Sequence, residues 1–180
     1  MKTGAPEEAG KSGFPAPIRN GQEMKGGMVK QKLIVAKAKQ GKPIRQVAAI
    51  PFRVDSEGDV EVLLITSNTT KRFILPKGWP MKGKSGKKAA MIEAREEAGV
   101  SGTMLKAPLG TYDYWKRLKT RFVNVRVTVY LLEVEQVLPD WEESARRHRA
   151  WLSPEDAAML IDEPQLGTLV RSLTSANLAE

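Results

Sequence analysis

The sequence has no cysteine and a single histidine, His148, among its 180 residues. Disulfides, thiolate metal sites and a cysteine nucleophile are thereby excluded, and so is a histidine-rich metal centre. Any metal would have to be held mainly by oxygen. No apolar run approaches the ~20 residues that a membrane-spanning helix requires. The opening Met-Lys-Thr-Gly-Ala-Pro-Glu also lacks the apolar core of a signal peptide. The expectation is a soluble, cytoplasmic protein with no membrane partner. The hydrophobic content of 41% suffices for a packed core, and the length suits one domain better than two.

The positive charge is uneven. The chain carries 29 Lys and Arg against 21 Asp and Glu, a formal net charge of +8. Residues 1–45 hold ten of the cations and three Glu, a net of +7, which leaves nineteen cations and eighteen acids, a net of +1, for residues 46–180. The first segment is rich in Gly, Pro, Lys and Gln, and opens with Gly4, Pro6, Gly10, Gly13, Pro15 and Pro17. Such a composition buries too little apolar surface to offset chain entropy. Residues 1–44 therefore read as a basic, flexible arm, either simply solvated or attracting an anion such as nucleic acid or polyphosphate. Within it, residues 28–39 mix Val29, Leu33, Ile34 and Val35 with Lys and Gln, a pattern that fits a short helix or an added strand.

From Arg45 the texture becomes that of a folded domain. Residues 46–54 and 60–66 are β-rich and flank the turn Asp55-Ser56-Glu57-Gly58-Asp59, a hairpin signature. A short strand over 72–75 stops at Pro76, and 77–84 is a Gly/Pro/Lys loop. Residues 85–98 are rich in Ala and Glu and end at Gly99, which predicts a helix. Strands are expected over 108–116 and 122–134, the second with Val123, Val125, Val127, Val129 and Leu131 on one face. Ser153-Pro154-Glu155-Asp156 has the form of a helix start, and 164–173 reads as a last helix. The order strands, helix, strands, helices indicates a single α/β or α+β domain.

The chemistry concentrates in residues 75–100, LPKGWPMKGKSGKKAAMIEAREEAGV. Glu93, Glu96 and Glu97 fall at i, i+3 and i+4, on one side of a helix. Three like charges so close repel one another, and a divalent cation relieves that cost. Carboxylate oxygens with room for waters and phosphates suit Mg²⁺ or Mn²⁺. The same spacing also describes an ordinary solvated helix face. The preceding Pro-Lys-Gly-Trp-Pro loop can add backbone N–H groups to a phosphate site.

This segment resembles the Nudix box of the Nudix hydrolases, G-x5-E-x7-R-E-U-x-E-E-x-G-U, where U is a bulky aliphatic residue. Gly78, Glu93, Glu96, Glu97, Gly99 and Val100 match in register, and Ala94 holds the first aliphatic place. Lys84 stands where the first Glu is expected, and Ile92 where the Arg is expected. Residues 45–54, 72–78 and 140–157 are similar to the corresponding parts of the diphosphoinositol polyphosphate phosphohydrolase branch. The resemblance covers about 45–174. It implies a Nudix domain over 45–176, an α/β/α sandwich around a mixed β-sheet. It further implies Mg²⁺- or Mn²⁺-dependent pyrophosphohydrolase activity on a polyphosphorylated small molecule, of the dinucleoside polyphosphate or diphosphoinositol polyphosphate type.

What the resemblance implies for residues is an expectation at each position. Glu93, Glu96 and Glu97 are the catalytic and metal-binding set. Arg45, Arg53, Arg72, Arg126 and His148 occupy positions similar to phosphate-contacting ones of the branch. Lys77 and Gly78 join them from the loop. Arg146, Arg147 and Arg149 surround His148 as a cationic stretch. Lys84 either repels a cation, holds a substrate phosphate as a point charge, or lies in solvent. Ile92 cannot donate a hydrogen bond, so Glu93 must be held by another group. A degenerate module that binds a nucleotide or nucleic acid without cutting it is the alternative that these two departures and the basic arm support.

Overall fold

The fold was analysed in a computed structural model, which describes residues 36, 43–118, 121–174 and 178. Nearly all of the basic arm, including the 28–39 pattern apart from Ala36, lies outside the described residues. The hairpin forms as expected: β1 (Ile44–Val54) pairs antiparallel with β2 (Val60–Thr66). β3 (Phe73–Ile74) continues the sheet beyond β2, and β4 (Lys77–Gly78), within what reads as loop in the sequence, bridges to β1. The helix α1 (Gly86–Ala98) follows. β5 (Val100–Arg117) and β6 (Phe122–Val137) form a long antiparallel ribbon, with register shifts near Gly102, Pro108 and Gly110. β7 (Arg149–Leu152), α2 (Pro154–Leu160) and α3 (Pro164–Arg171) complete the described elements.

Among the described residues the sheet runs β3-β2-β1-β6-β5, with β4 on β1 and β7 on β2. It is mixed, because β1 and β6 are parallel while the other pairs are antiparallel. The period-two pattern of β6 decides the layering. Val123, Val125, Val127, Val129 and Leu131 all enter one core, together with Ala157, Leu166 and Val170 of α2 and α3. The opposite face packs α1 through Ala89, Ala90, Ala94 and Ala98. Burying only alanines lets α1 sit close to the sheet, so its acidic flank reaches the strand ends. The result is an α/β/α sandwich.

Two strands depart from their sequence patterns. β5 starts at Val100 rather than near 108, because the ribbon pairing with β6 continues through irregular register, Val100 against Val137. β7 had no separate signal, since Arg149–Leu152 is half-buried throughout and is held as a strand by pairing with β2.

Candidate active site

The site is built where β4 meets α1. Register with β1, Val47 against Gly78 and Ala48 against Lys77, fixes the β4 dipeptide on the sheet. The chain then crosses a loop and enters α1 at Ser85, whose side chain accepts from the Lys88 N–H at 3.2 Å. Glu93 and Glu97, one helical turn apart, face β4. The Gly78 backbone lies directly against the Glu93 carboxylate, so closely that a Cβ at position 78 would overlap it. Glu97 accepts the Lys77 backbone N–H at 2.9 Å through Oε2 and the Arg147 guanidinium through Oε1.

Arg147 is a buried cation, 6% exposed. Besides Glu97 it bonds Glu143 through Nε and the Thr66 carbonyl through Nη1 at 3.0 Å. Three acceptors, one at each guanidinium nitrogen, suit the fork of an arginine. The far end of α1 is held as well. The Trp141 indole donates to the Glu97 carbonyl at 3.1 Å, and the Arg149 guanidinium stacks 3.9 Å above that indole. Arg149 also donates to the carbonyls of Ala98 and Leu138, placing a cation at the helix C-terminus. Gly99 ends the helix at φ 62°, left-handed, with Trp141 against it where a Cβ would stand.

Glu93, Glu97, Lys77, Lys116, Arg147, Trp79, Gln46 and Tyr114 line one cavity of about 320 Å³. A second of about 360 Å³ adjoins it and shares Asn68, Ile74, Lys77, Tyr114 and Lys116. Its other walls are residues 67, 69 and 70, Arg72, Trp115 and Arg117. Together they make a groove with carboxylates at one end and cations along the rest. Burial pushes the Lys77 ammonium down to about 8, against the opposing pull of Glu97 and Glu163. Burial also lowers Lys116. It raises Glu97, against the Lys77 N–H and Arg147. The Tyr114 hydroxyl, which donates to Gln46 at 2.7 Å, is pushed by burial up to about 12 and stays protonated. Burial pulls Arg72 down, but ion pairs to Glu163 at 3.0 Å and Asp162 at 3.2 Å outweigh it and raise it overall.

The groove therefore gathers Glu93, Glu97, Lys77, Gly78 and Arg72 from the expected set. The others stand elsewhere. Glu96 is exposed and lines a separate hollow with Ile92, Arg95 and Trp141, where partial burial and the charges of Glu142 and Glu143 raise its pKa. Lys84 is exposed in a turn, its N–H bonded to the Met81 carbonyl at 3.1 Å, and lines neither cavity. Arg53 pairs with Glu61 at 2.6 Å and stacks 4.2 Å from Trp151. It lies six residues along β1 from the Gly78 pairing, roughly 20 Å away. Arg45 and Arg126 are exposed neighbours in register on the α1 side of the sheet, Arg126 forked onto Asp113 at 2.8 and 2.9 Å. His148 is exposed. Its backbone bonds Thr66, and its ring lines neither cavity.

Sequence reasoning passed over Arg147 and Lys116 as site residues. Lys116 was legible from the strand period of two, and Arg147 from the same alternation in the chain just ahead of β7. Arg147 and Arg149 alternate with His148, so a pair of arginines turns inward when the histidine turns out. Lys116 follows the inward Tyr112 and Tyr114 on β5.

Among the described residues no three His, Asp or Glu side chains are gathered as a metal-holding cluster. Glu93 and Glu97 nevertheless fit a hard divalent cation. Mg²⁺ is commonly held by one or two carboxylates, with waters and substrate phosphates completing its shell. The donors here are oxygens only, and the adjoining walls are cationic.

Comparison with known proteins agrees with this architecture. A family model described as the NUDIX domain matches residues 43–173. Nudix hydrolase 12, mitochondrial, of Arabidopsis thaliana is 32% identical over 111 residues, 59% of this chain and 55% of that protein. Human diphosphoinositol polyphosphate phosphohydrolase 3-alpha is 35% identical over 120 residues, 65% of this chain and 68% of that protein. The chain spans little more than half the length of the first plant relatives it matches, 55% and 56% for two of them. The crystal structure of a C. elegans Ap4A hydrolase binary complex superposes with a TM-score of 0.56 at 23% identity, covering 76% of this chain and 98% of that one, which shows a shared fold.

Proposed function

The chain belongs to the NUDIX domain family, matched over residues 43–173, and from this premise we propose that it is a divalent-metal-dependent pyrophosphohydrolase. Its substrate is a polyphosphorylated small molecule of the dinucleoside polyphosphate or diphosphoinositol polyphosphate type. The observation that carries the reading is the groove itself. Two carboxylates one helical turn apart face the cations Lys77, Lys116 and Arg147 across a single cavity. A chain of phosphates needs several fixed cations beside the group that activates water.

Mg²⁺ or Mn²⁺ held by Glu93 and Glu97 would neutralise phosphoryl charge and make water a better nucleophile. Lys77 and Lys116 hold the phosphates. Both oxygens of Glu97 already accept hydrogen bonds, from Lys77 and Arg147, so Glu97 is fixed in orientation. Glu93, packed on Gly78, is assigned the proton of the attacking water. Trp79 and Tyr114 close the cavity beside the lysines, whose ammonium groups lie 5.4 Å and 5.8 Å from the ring centroids.

The test is incubation of the full chain with diadenosine polyphosphates and diphosphoinositol polyphosphates, with Mg²⁺, Mn²⁺ or chelator, and chromatography of the products. Hydrolysis dependent on the metal and lost by at least about 100-fold in Glu93→Gln supports the reading. Tight binding of these compounds with no product favours the non-hydrolytic alternative, which Lys84 and Ile92 at two box positions support. Against that alternative, Arg147 supplies the acidic face with the cation that Ile92 cannot.

A further inference from the structure

Among the described residues, one face of the tip of the β5–β6 ribbon is uncovered. Residues directly opposite in an antiparallel pair share a face, and so do residues two apart on a strand. Trp115 stands opposite Asn124, Arg117 opposite Phe122, and Asp113 opposite Arg126. Arg126 in turn lies beside Arg45 in the parallel β1–β6 register. All seven residues therefore lie on one face. The other face of the same stretch turns Val123, Val125, Tyr112 and Tyr114 into the core.

Trp115 is 68% and Phe122 64% exposed. They are diagonal neighbours across the ribbon, about 7–8 Å apart. Two adjacent large aromatics left in water, rimmed by charge, mark an interaction site. The rim decides the partner. Arg45, Arg117 and Arg126 stand against one acid, Asp113, which is forked onto Arg126, so the rim carries a net charge of +2. Charge continues away from the ribbon in two directions. Trp115 and Arg117 also wall the cavity that contains Arg72 and Lys116. The chain enters β1 next to Arg45 from residues 1–42, which carry nine Lys or Arg and three Glu.

We propose that this ribbon face binds single-stranded nucleic acid, with bases stacked on Trp115 and Phe122 and the phosphate backbone tracking Arg45, Arg117 and Arg126. Aromatic platforms beside a cationic track hold single strands with little sequence preference, because every base has a π-face. A duplex would present its phosphates but bury its base faces, so it gains nothing from the two rings. A protein partner for the aromatic pair would need acidic groups to meet three arginines. This surface shares Trp115 and Arg117 with the wall of the second cavity, but the proposal does not depend on hydrolysis in the groove.

The test uses the full chain and a fluorescently labelled oligouridylate of about 12 nucleotides, within the site sizes of single-strand binders, with a 5′-hydroxyl end, followed by anisotropy. Binding is expected to weaken with salt, and Arg117→Ala should reduce the log–log salt slope by about 0.7, the share of one phosphate contact on a single strand. The double variant Trp115→Ala with Phe122→Ala should weaken binding at least about tenfold. Both rings are exposed, so its melting temperature should hold, and Trp115→Tyr should retain most of the affinity. Glu93→Gln, expected to stop hydrolysis, should bind the oligonucleotide like the parent, which separates the two readings. Absence of binding at low salt overturns the proposal. So does undiminished binding in the double aromatic variant, which would assign the affinity to the basic residues 1–42 alone, and so does equal affinity for a duplex of the same length.

Discussion

Arg147 and Glu97 stand fifty residues apart in the sequence and share one ion pair, with side chains 6% and 15% exposed. The pair makes up for a missing residue within the helix. Ile92 holds the box position of an arginine, and its side chain faces the hollow beside Trp141 rather than the groove. A cation two residues ahead of β7 reaches the acidic face instead.

Removing that cation should have two consequences. Arg147→Ala leaves the half-buried Glu97 without its cationic partner, while Glu143 keeps only Arg146, at a cost of about 3–5 kcal/mol. For a domain of this size that corresponds to a fall in Tm on the order of 10 °C. Turnover should fall as well, because the Glu97 carboxylate loses one of its two fixed donors. Arg147→Lys keeps the charge without the fork and should lie between the two. Thermal unfolding and steady-state kinetics on the three proteins check this. An unchanged Tm in Arg147→Ala contradicts a structural role for the pair.

Gly78 and Glu93 give a prediction in which stability and activity separate. A Cβ at position 78 would overlap the Glu93 carboxylate. The obstacle is the end of a flexible side chain, so the fold can accommodate Gly78→Ala by swinging that carboxylate away. The expected result is a Tm close to the parent's and a loss of turnover of about 100-fold, the scale of about 3 kcal/mol in the barrier. Turnover near the parent's would show that Glu93 need not stay where it packs.

How much of this was legible in the sequence follows from which interactions are local. The helix with Ser85 and Gly99 at its ends, the β1–β2 hairpin and the inward face of β6 were all readable. Caps, turns and period-two burial act within a few residues. So was the acidic helix face. The sequence did not separate Glu96 from Glu93 and Glu97, because spacing places three carboxylates on one side of a helix while packing decides which of them meets β4. Nor did it find that Arg147, rather than His148, enters the groove. That depends on the direction from which β7 approaches β2, a contact with Thr66 more than eighty residues away in the chain. Arg53 illustrates the same limit. Its place in the 45–54 segment says nothing about which end of β1 carries the cavity.

Lys84 tests the box departure directly. As an ammonium in a lysine-dense loop it reads as a candidate for holding phosphate. In the structure it is exposed, in a turn closed by the Met81 carbonyl, and it lines neither cavity. Lys84→Glu and Lys84→Ala are therefore expected to leave KM within about twofold of the parent, as for a surface charge screened by water. A sharp rise of KM in Lys84→Glu, with kcat unchanged, would mean that the loop folds over bound substrate and brings Lys84 to it.

Lys77 sets the pH dependence. Its ammonium is pushed by burial down to about 8, while in the unfolded chain it titrates near 10.4. Between those values the unfolded state binds the extra proton, so this residue makes stability rise with pH across that window. Its effect on activity runs the other way. The charged form is the one that holds phosphate, and it predominates in the free protein only below about 8. The ratio kcat/KM, which reports groups of the free enzyme, should therefore decline above about pH 8 with a single ionisation. Lys77→Arg carries a permanent charge and should remove that basic limb even if the altered geometry lowers the plateau. Lys77→Met should lower kcat/KM at neutral pH and leave no such limb. A limb near 8 that persists in Lys77→Arg would assign the ionisation to another group and take from Lys77 its role as the phosphate-holding cation.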